Sequence, residues 1–174
     1  MARGIALTLV TLAAAVLASS AVAAPARPAA GLSTLESGVL VQLNQLRAKH
    51  GLAPLRISTK LTAAARAHSQ QMASDGYFAH ESADGSAFWK RVKQFYSSSP
   101  WQYWSVGENL LWSSPDVSPS SAIKLWLDSP EHRKNMLTAR WREIGVSAVH
   151  VPAAPGVYNG LDVTIVTTDF GVRH

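Results

Sequence analysis

The chain has 174 residues, no cysteine, and sixteen Lys and Arg against eleven Asp and Glu, a formal net charge of +5 with histidine neutral. That length suits one domain with a real core, and the missing cysteine excludes a disulfide scaffold, a lipidated cysteine and any thiolate ligand or nucleophile. The basic residues are scattered and form no run interleaved with exposed aromatics, so nucleic-acid binding is not expected; the mild positive bias would suit anionic cell-wall polymers or lipid head groups, but an ordinary solvated surface accounts for it better.

Met1-Ala2-Arg3, the apolar run Ile5 to Ala18 and the small-x-small site Ala21-Val22-Ala23 together predict a signal peptide over 1–23. A flexible lead-in is expected over 24–32 and a folded domain over 33–174. No later stretch is long and apolar enough for a transmembrane helix, so the expectation is an exported protein, secreted or held at the cell envelope without a transmembrane anchor. Losing Arg3 with the leader would leave the mature chain about four charges positive.

Ser33-Thr34-Leu35-Glu36 is a capping box, and Leu35, Val39, Leu43 and Leu46 follow at helical spacing, predicting a first helix that ends by His50 and Gly51. A second helix is predicted from the Ser58 cap, with Leu61, Ala64, Ala65, His68 and Met72 on one face and a stop at Asp75-Gly76. His68 on that apolar face reads as a core histidine rather than a ligand. His80 comes next, on a loop beside Tyr77 and Phe78, where it can point into a cleft or bond a carbonyl. A short helix follows Gly85-Ser86 with Phe88, Val92 and Phe95 inward, and Trp101, Tyr103 and Trp104 are expected mainly to pack a long loop.

Between Ser105 and Trp112, Glu108 stands among apolar residues, and a buried carboxylate there requires a charged or hydrogen-bonding partner. Ser118-Pro119 and Ser129-Pro130 both read as N-cap followed by a proline that sacrifices no useful donor. The second of these places His132 in the first turn of a helix, whose positive end opposes protonation and keeps the imidazole able to ligate or accept. A partly buried structural histidine fits the same position. From Glu143 the period changes to two: Ile144, Val146 and Ala148, then Leu161, Val163, Ile165 and Thr167 after a Pro-Gly turn, predict an antiparallel hairpin covered on both faces. The expected architecture is α+β, a three-layer α-β-α sandwich with a small antiparallel sheet.

Four ordered motifs, Phe78-Ala79-His80, Gly107-Glu108-Asn109, Trp126 to Leu137 with Ser-Pro-Glu-His-Arg-Lys-Asn-Met-Leu, and Ile144-Gly145-Val146, resemble the bacterial branch of the CAP superfamily. These are the SCP-like extracellular proteins, related to cysteine-rich secretory proteins, antigen 5 and pathogenesis-related 1. The resemblance implies secretion, the same sandwich, and a central cleft whose histidines and acidic residues hold zinc or another divalent cation in some members. Carried over, those positions are His80, Glu108 and His132. The second acidic position falls on Ser129, leaving open whether Asp128 or Glu131 reaches the cleft instead.

Two imidazoles and a carboxylate suffice for an open zinc site, and equally for a purely structural network. Arg133 and Asn135 are assigned to structural hydrogen bonds. The leading functional expectation is a secreted binding module for a cell-wall polymer, lipid or host surface molecule. A metal-dependent hydrolase with Glu131 or Asp128 moving protons is the alternative, and a structural protein without a ligand is a third reading. A serine hydrolase is set aside, because no Gly-x-Ser-x-Gly turn occurs.

Overall fold

A computed structural model describes residues 32–174. The expected cleavage site near Ala23 and the lead-in before Leu32 lie outside the described residues. In chain order the elements are α1 (Thr34–Lys49), β1 (Arg56–Ile57), α2 (Thr59–Asp75), α3 (Phe88–Phe95), β2 (Trp104–Ser113), α4 (Pro119–Asp128), α5 (Pro130–Met136), β3 (Glu143–Val151), a 3-10 turn (Gly156–Tyr158) and β4 (Val163–Arg173).

The sheet runs β1-β3-β4-β2. β4 pairs antiparallel with both neighbours, whereas the two-residue β1 runs parallel to β3, so the sheet is mixed rather than wholly antiparallel. β2 is a ten-residue strand where the sequence pattern predicts no element, and Trp104 opens it instead of belonging to a loop. The reason lies in its composition: Gly107, Glu108 and Asn109 interrupt the apolar alternation that normally marks a strand.

Alternation along the strands sorts side chains onto the two faces of the sheet. Ile144, Val146, Val166, Phe170 and Leu111 pack under α1, α4 and α5 against Val39, Leu43, Ile123, Trp126 and Met136. On the opposite face, Met72 and Ala73 of α2 pack onto Leu110, Val163 and Ile165, while Leu61 and Ala64 of α2 meet Val92 of α3 and Tyr96, with Val106 against them. The result is the expected three-layer sandwich, with ten of the eleven β4 residues buried because helices cover both of its faces.

Buried polar groups tie the layers together. The capping box of α1 forms as expected, and the same Glu36 carboxylate also accepts the Ala148 backbone N–H at 3.0 Å, joining α1 to β3. Arg47, fully buried, donates to the carbonyls of Ala53, Met136 and Thr138, so α1 holds the end of α5. Such charge-assisted donation to otherwise orphaned helix-end carbonyls is what allows a guanidinium in the core.

Candidate functional site

The site is built on β2, one of the two edge strands. Its Gly-Glu-Asn segment sends successive side chains to opposite faces, as a strand must. Gly107 leaves room for α5: an added Cβ would come within 2.5 Å of Asn135 Oδ1 and 2.9 Å of the Trp141 ring. Asn109 donates to the His132 carbonyl at 3.1 Å and accepts from Asn135 Nδ2 at 2.9 Å, while the same Asn135 nitrogen reaches the Glu108 carbonyl at 3.1 Å. These bonds fix α5, and with it His132, beside the strand.

Glu108 points the other way, toward α2 and α3, and is buried. Its Oε2 pairs with the buried Arg91 guanidinium, and its Oε1 meets His80 Nδ1 at 2.8 Å. With a carboxylate on that side, Nδ1 is the donating nitrogen, leaving Nε2 directed elsewhere. The His80 backbone is restrained as well. Its carbonyl accepts from Arg91, and the preceding Ala79 carbonyl lies 2.9 Å from His68 Nε2. His68 therefore anchors the loop that carries His80 and is not itself part of the cleft.

His80, Glu108 and His132, three residues from separate segments, line one cavity of about 490 Å³ together with Phe88, Glu131 and Lys134. Burial first, and then the neighbouring His80, lower the His132 pKa and keep its imidazole neutral. Of the two acidic residues left open by spacing, Glu131 lines this cavity, whereas Asp128 is exposed and paired with Lys124 at 2.6 Å. Ser129 is the joint between α4 and α5. Its backbone carbonyl accepts from Arg133 N–H, but its side chain makes no capping bond, contrary to expectation.

Two members of the cluster escape a reading of the sequence. Arg91 sits within the Phe88, Val92, Phe95 apolar stripe of α3, and a cation at that spacing is the available signal. Asp169 lies directly across from Glu108 in the β2–β4 register and is fully buried, with no hydrogen-bond donor reaching either oxygen. Burial, and then the charge of Glu108, push its carboxyl well above the usual range, so it holds its proton. Its signal is a carboxylate in the otherwise apolar alternation of the last strand.

Among the described residues, no group of three or more His, Asp or Glu is arranged to hold a metal ion. Glu108 could bind a cation only by sharing or giving up His80 or Arg91, and the guanidinium already supplies the positive charge there. The fit to a metal is therefore confined to the two imidazoles, with Glu108 behind one of them as an orienting carboxylate of the kind that accompanies histidine ligands.

The profile of the cysteine-rich secretory protein family, CAP, matches residues 40–167. The uncharacterized protein YkwD of Bacillus subtilis is 36% identical over 118 residues, covering 68% of this chain and 44% of its own length. The uncharacterized membrane protein YlbC of the same organism is 30% identical over 114 residues, covering 66% of this chain and 31% of its own length. The chain thus spans less than half the length of either relative. Among solved structures, an extracellular protein containing a SCP domain from Bacillus anthracis is similar at TM-score 0.56 and 25% identity, over 82% of this chain and 44% of that one. An outer surface protein from Borrelia burgdorferi shares the fold at TM-score 0.58 and 19% identity, over 78% of this chain and 90% of its own.

Proposed function

The chain belongs to the cysteine-rich secretory protein family, and from that membership we propose that it is an exported binding module whose ligand enters the cleft beside β2. The observation that supports a ligand cleft is the way His80 is held. Its Nδ1 is committed to Glu108, which is committed to Arg91, so one ring nitrogen is presented in a fixed direction. The only hydroxyl in the cavity lining is that of Thr138, and it donates to the Lys134 carbonyl rather than to a base. That wall offers hydrogen bonds and charge, with Lys134 and Arg140 beside the two imidazoles, and no activated nucleophile.

Export is supported by the leader-like start of the sequence and by the extracellular SCP-domain protein of Bacillus anthracis. Among the described residues, no helix is long and apolar enough to cross a membrane. A cell-wall polymer, a lipid or a host surface molecule would all meet the same polar wall. The full-length protein is expected to co-sediment with purified cell-wall polymer, and His80→Ala to do so at least tenfold more weakly. Release of soluble fragments during that incubation would favour a hydrolase instead.

A second reading, a divalent cation held by His80 and His132, is supported by the two neutral-capable imidazoles and the carboxylate behind His80. A bound ion would supply a Lewis-acidic coordination point for a ligand oxygen. In this reading zinc raises the melting temperature of the parent but not of His132→Ala, since an ion that binds only the native state stabilises it by mass action. Equal shifts in both proteins would place the ion elsewhere, and no shift in either would leave the triad as a hydrogen-bonded ligand wall.

A further inference from the structure

The aromatic segment that follows the cleft is not consumed by packing. Trp89 is 42% exposed, Trp101 43% and Tyr103 40%, whereas Trp104 is half-buried and spends its indole N–H on the Tyr96 carbonyl. Residues 86–107 contain seven aromatic side chains and three cations, and no carboxylate. Arg91 turns inward to Glu108, but Lys90 and Lys93 stay exposed on the outer side of α3.

Both exposed indoles have a cation against them. Lys90 Nζ lies 5.8 Å from the Trp89 ring centre, and the Arg173 guanidinium 5.2 Å from that of Trp101. Tyr103 stacks on His174 with ring centres 5.0 Å apart. Continuity between the two ends comes from α3 itself: Trp89 and Lys93 are one turn apart, and Arg173 reaches the Ser97 carbonyl just beyond the helix. The nearby carboxylate, Glu143, is already engaged by the Tyr96 hydroxyl and by Arg173 at 4.0 Å.

From this arrangement we infer that the outer face of α3 and the 101–103 segment dock onto an anionic phospholipid surface. Indole and phenol rings take the boundary between head groups and acyl chains, because each has an apolar body and one polar edge. Lysine stems lie along such rings while their charges meet lipid phosphates. Arg173, largely buried and over the Tyr96 ring at 4.0 Å, instead braces Trp101 from below. A sugar polymer would stack on open ring faces, but here a cation occupies one face of each indole. Phe88 lines the cleft and its neighbour Trp89 faces outward, so docking would hold the cleft opening close to the bilayer.

The test uses the full-length protein and two sets of vesicles, phosphatidylcholine alone and phosphatidylcholine mixed with phosphatidylglycerol. Co-sedimentation is expected only with the mixed vesicles and should weaken as salt is raised. Brominated acyl chains should quench the tryptophan fluorescence of the parent and not that of Trp89→Ala/Trp101→Ala. Lys90→Glu/Lys93→Glu should bind more than tenfold more weakly, since each basic residue near such a surface contributes roughly fivefold. His132→Ala should bind vesicles like the parent, which separates this surface from the cleft. Equal binding to both kinds of vesicle, no binding to either, or parent-like binding by both patch variants with unchanged melts would overturn the inference. So would salt-sensitive binding without bromine quenching, which would assign the patch to a soluble polyanion.

Discussion

Four serines stand immediately before helices, and their oxygens behave differently. Ser33 accepts from Glu36 N–H at 3.2 Å and Ser118 from Ser121 N–H at 3.1 Å, whereas Ser58 and Ser129 make no capping bond. Ser129 has a second duty, as the single residue that ends α4 and begins α5, and its backbone is fixed by both helices. Ser118→Ala should therefore cost about 1 kcal/mol in a denaturant melt, and Ser129→Ala less than about 0.5 kcal/mol. A large loss at Ser129 would mean that its hydroxyl has a role the geometry does not reveal. Arg91 and Asp169 belong to this scale too. A cation and an acid each look incidental in the chain, yet both come to Glu108, Arg91 from α3 above one face of the sheet and Asp169 from the paired strand β4 beside it.

Helix α2 illustrates how one residue governs a whole element. It rests on β3 at Gly145, where a Cβ would fall onto the backbone of Leu61 and Thr62. Alanine would have to lift the helix, since the obstruction is backbone and not the end of a flexible side chain. Gly145→Ala should lower stability by about 3 kcal/mol, measurable as an earlier denaturant midpoint with an unchanged slope. The same change would loosen His68, which hangs from α2 and holds the Ala79 carbonyl, and so would slacken the loop carrying His80. Packing in one layer is in this way transmitted to the cleft.

Across the whole molecule, pH acts through groups that folding keeps neutral. Burial drives the His68 pKa down to about 4; the charge of Glu108 opposes this to a smaller extent, and that of Arg91 adds to it. Below about pH 6.5 the unfolded chain takes up a proton at this residue that the folded chain refuses until about pH 4. The unfolded state then binds more protons, so stability rises with pH and is lost on acidification through that window, by up to roughly 3 kcal/mol. His132, also shifted down, adds loss of the same sign, whereas Asp169, held protonated by burial, contributes with the opposite sign in both parent and variant. Thermal melts between about pH 7 and about pH 4.5 should show the parent declining more steeply than His68→Gln, whose amide can still donate to Ala79. Parallel declines would assign the acid sensitivity to other groups.

Much of this protein was legible without coordinates, for physical reasons of short range. The capping box at Ser33, the apolar stripes of α1 and α2 and the β3–β4 alternation are local patterns. The residues that make each of them lie within a few positions of one another. His80, Glu108 and His132 could be singled out because their motifs are contiguous. What only the tertiary structure decided is what those side chains face. Strand β2 has an interrupted period and becomes a strand through its ten-residue pairing with β4, and this pairing sets Asp169 opposite Glu108. The Arg91 guanidinium claims one Glu108 oxygen and His80 the other, so Glu108 orients a histidine, whereas the sequence left a metal ligand and a hydrogen-bonded network equally open. A chain encodes its local periods residue by residue, but the partner of a buried charge is chosen by whichever elements pack against it.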